Sequence, residues 1–230
     1  MVGLACAGRA INLVGTRVID ARHADLQRWY SDHAMLLLRA PQLQDATLLQ
    51  RLDGADAPDY LCLYTFADMA DFLRFDHGAE MAEVRRLSQQ AFGRDSVDMV
   101  ERNQFERWLT RSWALTPGDG ERMVHAQRVR LDHAPPNETL RWLNDRLQSL
   151  STRLPLRSAR LYGAPASALF TDIFVLLEVC GRQPLPRNWW SPQDSGGEAP
   201  MGLRPIHACR GADPGPGWSA IYRVWGRWGR

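Results

Sequence analysis

Residues 28–32, Arg28-Trp29-Tyr30-Ser31-Asp32, recur 113 positions later as Arg141-Trp142-Leu143-Asn144-Asp145. Without a gap the same offset carries Leu43 to Leu156, Ala46 to Ala159, Leu48 to Leu161 and Asp59 to Asp172. Upstream, Ile19-Asp20 answers Leu131-Asp132. Downstream, Phe105-Glu106-Arg107-Trp108 answers Trp225-Gly226-Arg227-Trp228, with small loop indels absorbing the drift. Self-similarity at this spacing reads as an internal duplication, with a first copy over 1–112 and a second over 113–230.

Each copy reads as strand, helix, strand, strand, helix, strand. In the first, Ala10 to Val18 is a β-rich run, and Leu26, Trp29, Tyr30, His33 and Leu37 recur at helical spacing over 24–38. Pro41 ends that helix. Leu43 to Leu52 and Tyr60 to Phe66 are strand-like runs joined by the turn-rich Asp53-Gly54-Ala55-Asp56-Ala57-Pro58. Asp68 then caps a second helix running to about Phe92, and Val97 to Trp108 closes the unit. The second copy repeats this with Val124 to Leu131, a helix over 138–151, Arg157 to Tyr162, Thr171 to Val179 and Ser219 to Trp228. Its second helix is missing from the pattern, because 181–217 holds seven prolines and several glycines.

The fold expected is therefore α+β: two tandem ferredoxin-like βαββαβ repeats whose antiparallel sheets pack face to face, the second repeat lacking a regular second helix. A sheet with helices on one face leaves its other apolar face bare. Burying several hundred Å² at roughly 25 cal/mol per Å² favours pairing it.

Composition removes whole classes of chemistry. The chain has 230 residues, 45% hydrophobic and 23% charged, which suits a packed domain or two and excludes a disordered chain. Its 28 basic and 26 acidic residues leave a formal charge of +2, too little to argue for nucleic acid or a membrane surface. All 28 basic residues are arginine, so a lysine Schiff base, a lysine general base and a P-loop lysine are excluded. No G-x-S-x-G, H-E-x-x-H, G-x-G-x-x-G or P-loop pattern occurs. Cys6, Cys62, Cys180 and Cys209 lack metal-site spacing and read as free thiols, and no metal site is expected. The start lacks a signal peptide, and the longest apolar run, Ile173 to Cys180, is too short to span a bilayer; a cytoplasmic protein is expected.

Trp29-Tyr30-Ser31-Asp32-His33, followed by Leu36-Leu37 and Pro41-Gln42-Leu43, resembles the dimeric α+β barrel superfamily, most closely its EthD-like branch. The likeness covers 10–108 well and 124–228 less well, where Arg146 stands at the position of His33. It implies an intramolecular pseudo-dimeric barrel, with a homodimer as a further option. It also implies a small, often aromatic ligand held between sheet and helices. Activities of the superfamily include cofactor-free monooxygenation, lactone isomerisation, polyketide cyclisation and haem degradation.

His33, on the apolar stripe of the first helix, is the candidate general base; its bland reading is a core histidine satisfied by a backbone carbonyl. Since the second copy keeps Arg, Trp and Asp but has Arg146 there, the scaffold alone does not demand histidine. Candidate ligand contacts are Trp29, Tyr30, Tyr64, His77 and Arg102, the arginine as receiver of a carboxylate or phenolate. Against these stand a packing tryptophan, a half-buried strand tyrosine and a solvent-edge histidine. Arg28 with Asp32 and Arg141 with Asp145 read as helix-surface pairs. The Arg- and Trp-rich end of the chain reads as a closing strand rather than a single-stranded nucleic-acid binder. Trp189 and Trp190 read as a loop plug, or else as a lid or a partner contact.

Two functions stand level: a cofactor-independent enzyme acting on a small aromatic, lactone or polyketide-like molecule, and a non-catalytic small-molecule-binding or accessory protein. Haem binding through an axial His33 or His77 is a third. No cofactor, nucleic acid or membrane partner is expected.

Overall fold

The computed structural model describes residues 9–19, 22–54, 56–92, 97–114, 121–132, 136–163, 170–181 and 218–229. In chain order these form β1 (Ala10–Val18), α1 (His23–Leu37), β2 (Leu43–Asp53), β3 (Tyr60–Phe66), α2 (Met69–Asp76), α3 (Ala79–Phe92), β4 (Val97–Ser112), β5 (Arg122–Asp132), α4 (Pro136–Ser151), β6 (Leu156–Gly163), β7 (Phe170–Cys180) and β8 (Trp218–Gly229). The expected absence of a helix over 181–217, Trp189 and Trp190, and the thiols Cys6 and Cys209 lie outside the described residues, apart from Gly181.

The strands follow the hydrogen-bonded order β1-β3-β2-β8-β5-β7-β6-β4 and close on themselves. This overturns the expectation of an α+β chain with two ferredoxin-like repeats whose separate sheets pack face to face. The chain forms one closed, eight-stranded antiparallel barrel, richer in strand than in helix. The physical reason lies at the edges. Two separate sheets would each present unpaired N–H and C=O rows at both ends. Placing β2 beside β8 and β6 beside β4 leaves no such edge. The closing strand β4 is 16 residues long and runs on to Ser112, beyond the Trp108 at which the apolar pattern stops.

By contacts the described residues of 9–51, 58–106 and 223–229 make one compact unit, and those of 52–57 and 107–222 another. In the first, β1 lies between β3 and β4, pairing Asn12 with Tyr64 and Gln104, and Val14 with Cys62 and Arg102. Every residue of β3 is buried. Alternation sends Tyr60, Cys62, Tyr64 and Phe66 toward the helices, where they pack with Leu26, Tyr30, Ala34 and Leu37 of α1 and Phe72 and Phe75 of α2. Leu61, Leu63 and Thr65 are buried on the opposite face. That two-sided burial is why the strand reads as an unbroken apolar run rather than an alternating one.

The second helical region of this unit is not continuous. Asp68 caps α2 by accepting from the Asp71 amide at 2.8 Å, as expected, but the helix stops at Asp76 and α3 begins at Ala79. Gly78 donates to the Phe75 carbonyl at 2.9 Å and closes the first segment there. Arg28 approaches Asp25 at 4.0 Å rather than taking the expected pairing with Asp32.

In the second unit, β5 pairs with β7 from Arg122↔Cys180 to Asp132↔Phe170 and with β8 from Val124↔Tyr222 to Arg128↔Trp218. Leu143, Leu147 and Leu150 of α4 pack on Ala159, Leu161, Ile173, Val175 and Leu177. Gly163 lies beneath the Trp108 indole, so close that a Cβ there would fall 1.9 Å from the ring. Gly54 turns the β2–β3 connection at φ +104, and a Cβ would meet the Ser219 carbonyl at 2.7 Å; glycine is required on both counts.

Candidate functional site

The candidate groups of the first unit meet in the layer between the sheet and α1. On α1, Trp29 is the hinge of a three-ring arrangement. It meets Tyr30 edge-on with centroids 5.0 Å apart, and His33 stacks on it at 3.8 Å with 29° between planes. Residues four apart share one helix face, so the stack follows from the spacing.

His33 is 7% exposed. Its Nδ1 lies 2.7 Å from the Trp29 carbonyl oxygen, one turn back. A carbonyl only accepts, so Nδ1 carries the proton and donates, and Nε2 keeps the lone pair. That Nε2 is buried and has no hydrogen-bond partner among the described residues. Burial lowers the His33 pKa below its ordinary value, outweighing the Trp29 carbonyl and the Asp32 charge, which both raise it. The shift favours the neutral imidazole near pH 7.

The facing strands supply phenols and a thiol. Tyr30, 3% exposed, is shifted up mainly by burial, with Cys62 adding to the shift and Thr16 on β1 opposing it. Tyr64, 7% exposed, is raised well above the ordinary phenol range, first by burial and then by Cys62 and Tyr30 beside it; Arg102 opposes the shift. The Tyr64 hydroxyl beside Cys62 opposes its shift, yet burial pushes the thiol up to about 12. All three stay protonated at neutral pH and act as neutral donors.

The charged candidates sit at the rim. Arg102 places Nη2 2.5 Å from Asp76 Oδ1, and Arg85 approaches the same oxygen at 2.6 Å. The receiver role imagined for Arg102 is thus already partly filled by an internal carboxylate. His77, the C-cap of α2, is exposed. The structure therefore gathers Trp29, Tyr30, His33 and Tyr64, sets Arg102 at the edge beside Tyr64, and leaves His77 in solvent. On α4 the Arg146 guanidinium lies 5.4 Å from the Trp142 ring centroid.

Sequence reasoning passed over Asn12. It is 1% exposed, it shares the helix-facing side of the sheet with Val14, Tyr64 and Ala46, and its Oδ1 has no hydrogen-bond partner among the described residues. The signal was available: a lone amide at the third position of Ala10-Ile11-Asn12-Leu13-Val14 must face the same way as Ala10 and Val14. A separate polar hub lies around Tyr60, whose hydroxyl is 2.9 Å from Gln27 Nε2, 3.2 Å from His23 Nδ1 and 3.3 Å from Gln50 Nε2. Among the described residues no cluster of His, Cys, Asp and Glu could hold a metal, and no helix is long and apolar enough to cross a membrane.

No family model and no curated protein matches the chain. Solved structures do. An anthrone oxidase-like protein superposes with a TM-score of 0.54 at 11% identity, over 97% of this chain and 94% of the other. A variant of chlorite dismutase from Candidatus Nitrospira defluvii superposes with a TM-score of 0.54 at 8% identity, over 96% and 93%. At such identities the likeness concerns the fold alone.

Proposed function

We propose that the chain is an EthD-like enzyme that works without a cofactor. Its two fused repeats are 1–112, which binds the ligand, and 113–230, an altered copy. The substrate is a small aromatic, lactone or polyketide-like molecule held between α1 and the sheet. One observation carries this reading: His33 Nε2, a buried, neutral base with no hydrogen-bond partner among the described residues and with its lone pair fixed by the Nδ1 bond to the Trp29 carbonyl. A base placed this way can remove the proton of an acidic C–H or O–H, and its lowered pKa keeps it in working form. The Tyr30 and Tyr64 hydroxyls, held protonated, are suited to donate to the oxygen on which negative charge then develops. Trp29 supplies an aromatic wall, Arg102 guards the rim, and His77 serves only as an outer contact.

A panel of hydroxylated aromatics, anthrones and lactones, followed by absorbance, tests the proposal. With the substrate so found, His33→Gln should lower kcat by about 10²- to 10⁴-fold, the usual worth of a positioned base. The wild-type rate should be flat above about pH 6.5 and fall on the acid side as the imidazole is protonated. Unchanged turnover in the variant overturns the role of His33.

A second reading has its own support, since a bond from Nδ1 to a main-chain carbonyl is what a scaffold histidine makes. A non-catalytic binder would take up ligands of this class and return them unchanged. The same Nδ1 bond also suits a metal-ligating histidine, so titration with hemin belongs in the experiment. A Soret shift lost in His33→Gln would replace the cofactor-free reading with a haem protein.

A further inference from the structure

The layer between α1 and the sheet is polar in an unusual way: it holds several hydrogen-bonding groups and, among the described residues, no buried cation. Thr16, Tyr30, His33, Cys62 and Tyr64 are each at most 7% exposed, and the tyrosines, the thiol and the imidazole are all held in their neutral forms. Arg102, Asp76 and Arg85 pair with one another at the exposed rim. Among the described residues three buried atoms in this layer lack hydrogen-bond partners: Asn12 Oδ1 and His33 Nε2, which only accept, and Thr16 Oγ1, which can also donate. An unpartnered buried acceptor costs free energy, so what completes the layer must bring donors. A carboxylate brings none and would be stripped of water with no buried cation to meet it.

We propose that Asn12 is the acceptor that fixes the hydroxyl of an uncharged ligand, so that this site selects neutral hydroxylated aromatics over aromatic carboxylates. The proposal rests on the reading of the layer as a ligand site. Asn12 lies across from Tyr64 on the neighbouring strand, so a hydroxylated ring held by Asn12 lies against a phenol that can donate to a second oxygen of the ligand. His33 approaches from the helix side. The amide is thus a positioning group and the imidazole the group that moves the proton.

Three probes of one shape separate the possibilities: 2-naphthol, neutral at pH 7; 2-naphthoate, an anion; and naphthalene, which has no polar group. Their affinities for the full chain are measured by calorimetry, with Asn12→Leu and the strand-compatible Asn12→Val as variants. For the wild type, 2-naphthol should bind at least about tenfold more tightly than 2-naphthoate, a comparison that needs no variant to fold. Either variant should weaken 2-naphthol roughly 3- to 10-fold, the worth of one hydrogen bond, and leave naphthalene within about twofold. Equal or tighter binding of 2-naphthoate overturns the proposal and makes Arg102 the anchor. Equal losses for 2-naphthol and naphthalene, or no loss for either, overturn the assignment to Asn12 while the layer stands as a ligand site. Failure of all three probes to bind the folded wild type overturns that broader reading and this proposal with it.

Discussion

Replacing His33 by leucine sets its scaffold role against its chemical one, and the structure allows the balance to be worked. Three losses are expected at most. The Nδ1 bond to the Trp29 carbonyl is worth about 0.5–1.5 kcal/mol net, the stack on Trp29 at 3.8 Å a similar amount, and small misfits of shape add to these. Against them, leucine removes the stranded Nε2, whose unmet burial costs roughly 1–3 kcal/mol, and it is the better helix former by about 0.5 kcal/mol. The two sides nearly cancel, so His33→Leu should lie within about 1 kcal/mol of the wild type at pH 7.5. Urea unfolding followed by tryptophan fluorescence measures this. Acid pH should then separate the two proteins. Burial holds the folded His33 pKa below that of the unfolded chain, so the unfolded state takes up a proton that the folded state refuses. That penalty is absent above about pH 6.5 and grows as the pH falls below it, by no more than about 1.4 kcal/mol per pH unit. Leucine carries no such penalty. Between pH 7.5 and 5.5 the variant should gain on the wild type. A loss above about 3 kcal/mol at pH 7.5, with parallel pH curves, would make His33 a satisfied structural residue and remove the argument for its lone pair.

Two further outcomes test the packing. Gly163→Ala drives a methyl group into the Trp108 indole and should cost about 1–3 kcal/mol, lowering Tm by roughly 2–4 °C per kcal/mol in a thermal melt; an unchanged Tm would mean the ring moves aside freely. Tyr60→Phe takes the shared hydroxyl from Gln27, His23 and Gln50 and should cost about 1–3 kcal/mol in the same urea assay; a neutral result would make the hub incidental.

Much of the local structure is legible in the residues. The expected bounds of β1 and β3 match the structure, and Asp68 caps the helix it was expected to cap. Local signals of this kind depend on neighbours in the chain, which the sequence displays. Closure of the barrel depends instead on which edge strands meet, and an apolar pattern says that a face is buried without saying which strand lies alongside. The break at His77-Gly78 was hidden because Met69, Leu73, Met81 and Val84 keep helical spacing across it. Of the site, Trp29, Tyr30 and His33 announce themselves by falling on one helix stripe. Asn12 did not, because its importance lies in what its oxygen lacks, and only packing shows that. Arg102 misled for the converse reason: its partner Asp76 is 26 residues away.

The unpaired acceptors bear on why such a layer persists. Stranding Asn12 Oδ1 and His33 Nε2 costs roughly 1–3 kcal/mol each, a large share of the 5–15 kcal/mol by which a domain is ordinarily stable. Apolar residues of similar size would remove that cost. Polar atoms held at a loss are accounted for if something else satisfies them in use. A ligand that donates to both returns the cost as affinity, and because it binds only the folded chain it raises stability by RT ln(1 + [L]/Kd), about 2.7 kcal/mol at a hundredfold excess over Kd. A matched hydroxylated ligand should therefore protect the wild type against unfolding more than it protects Asn12→Val or His33→Leu, each of which has lost one of the two acceptors. Naphthalene, which satisfies neither atom, should protect all three alike.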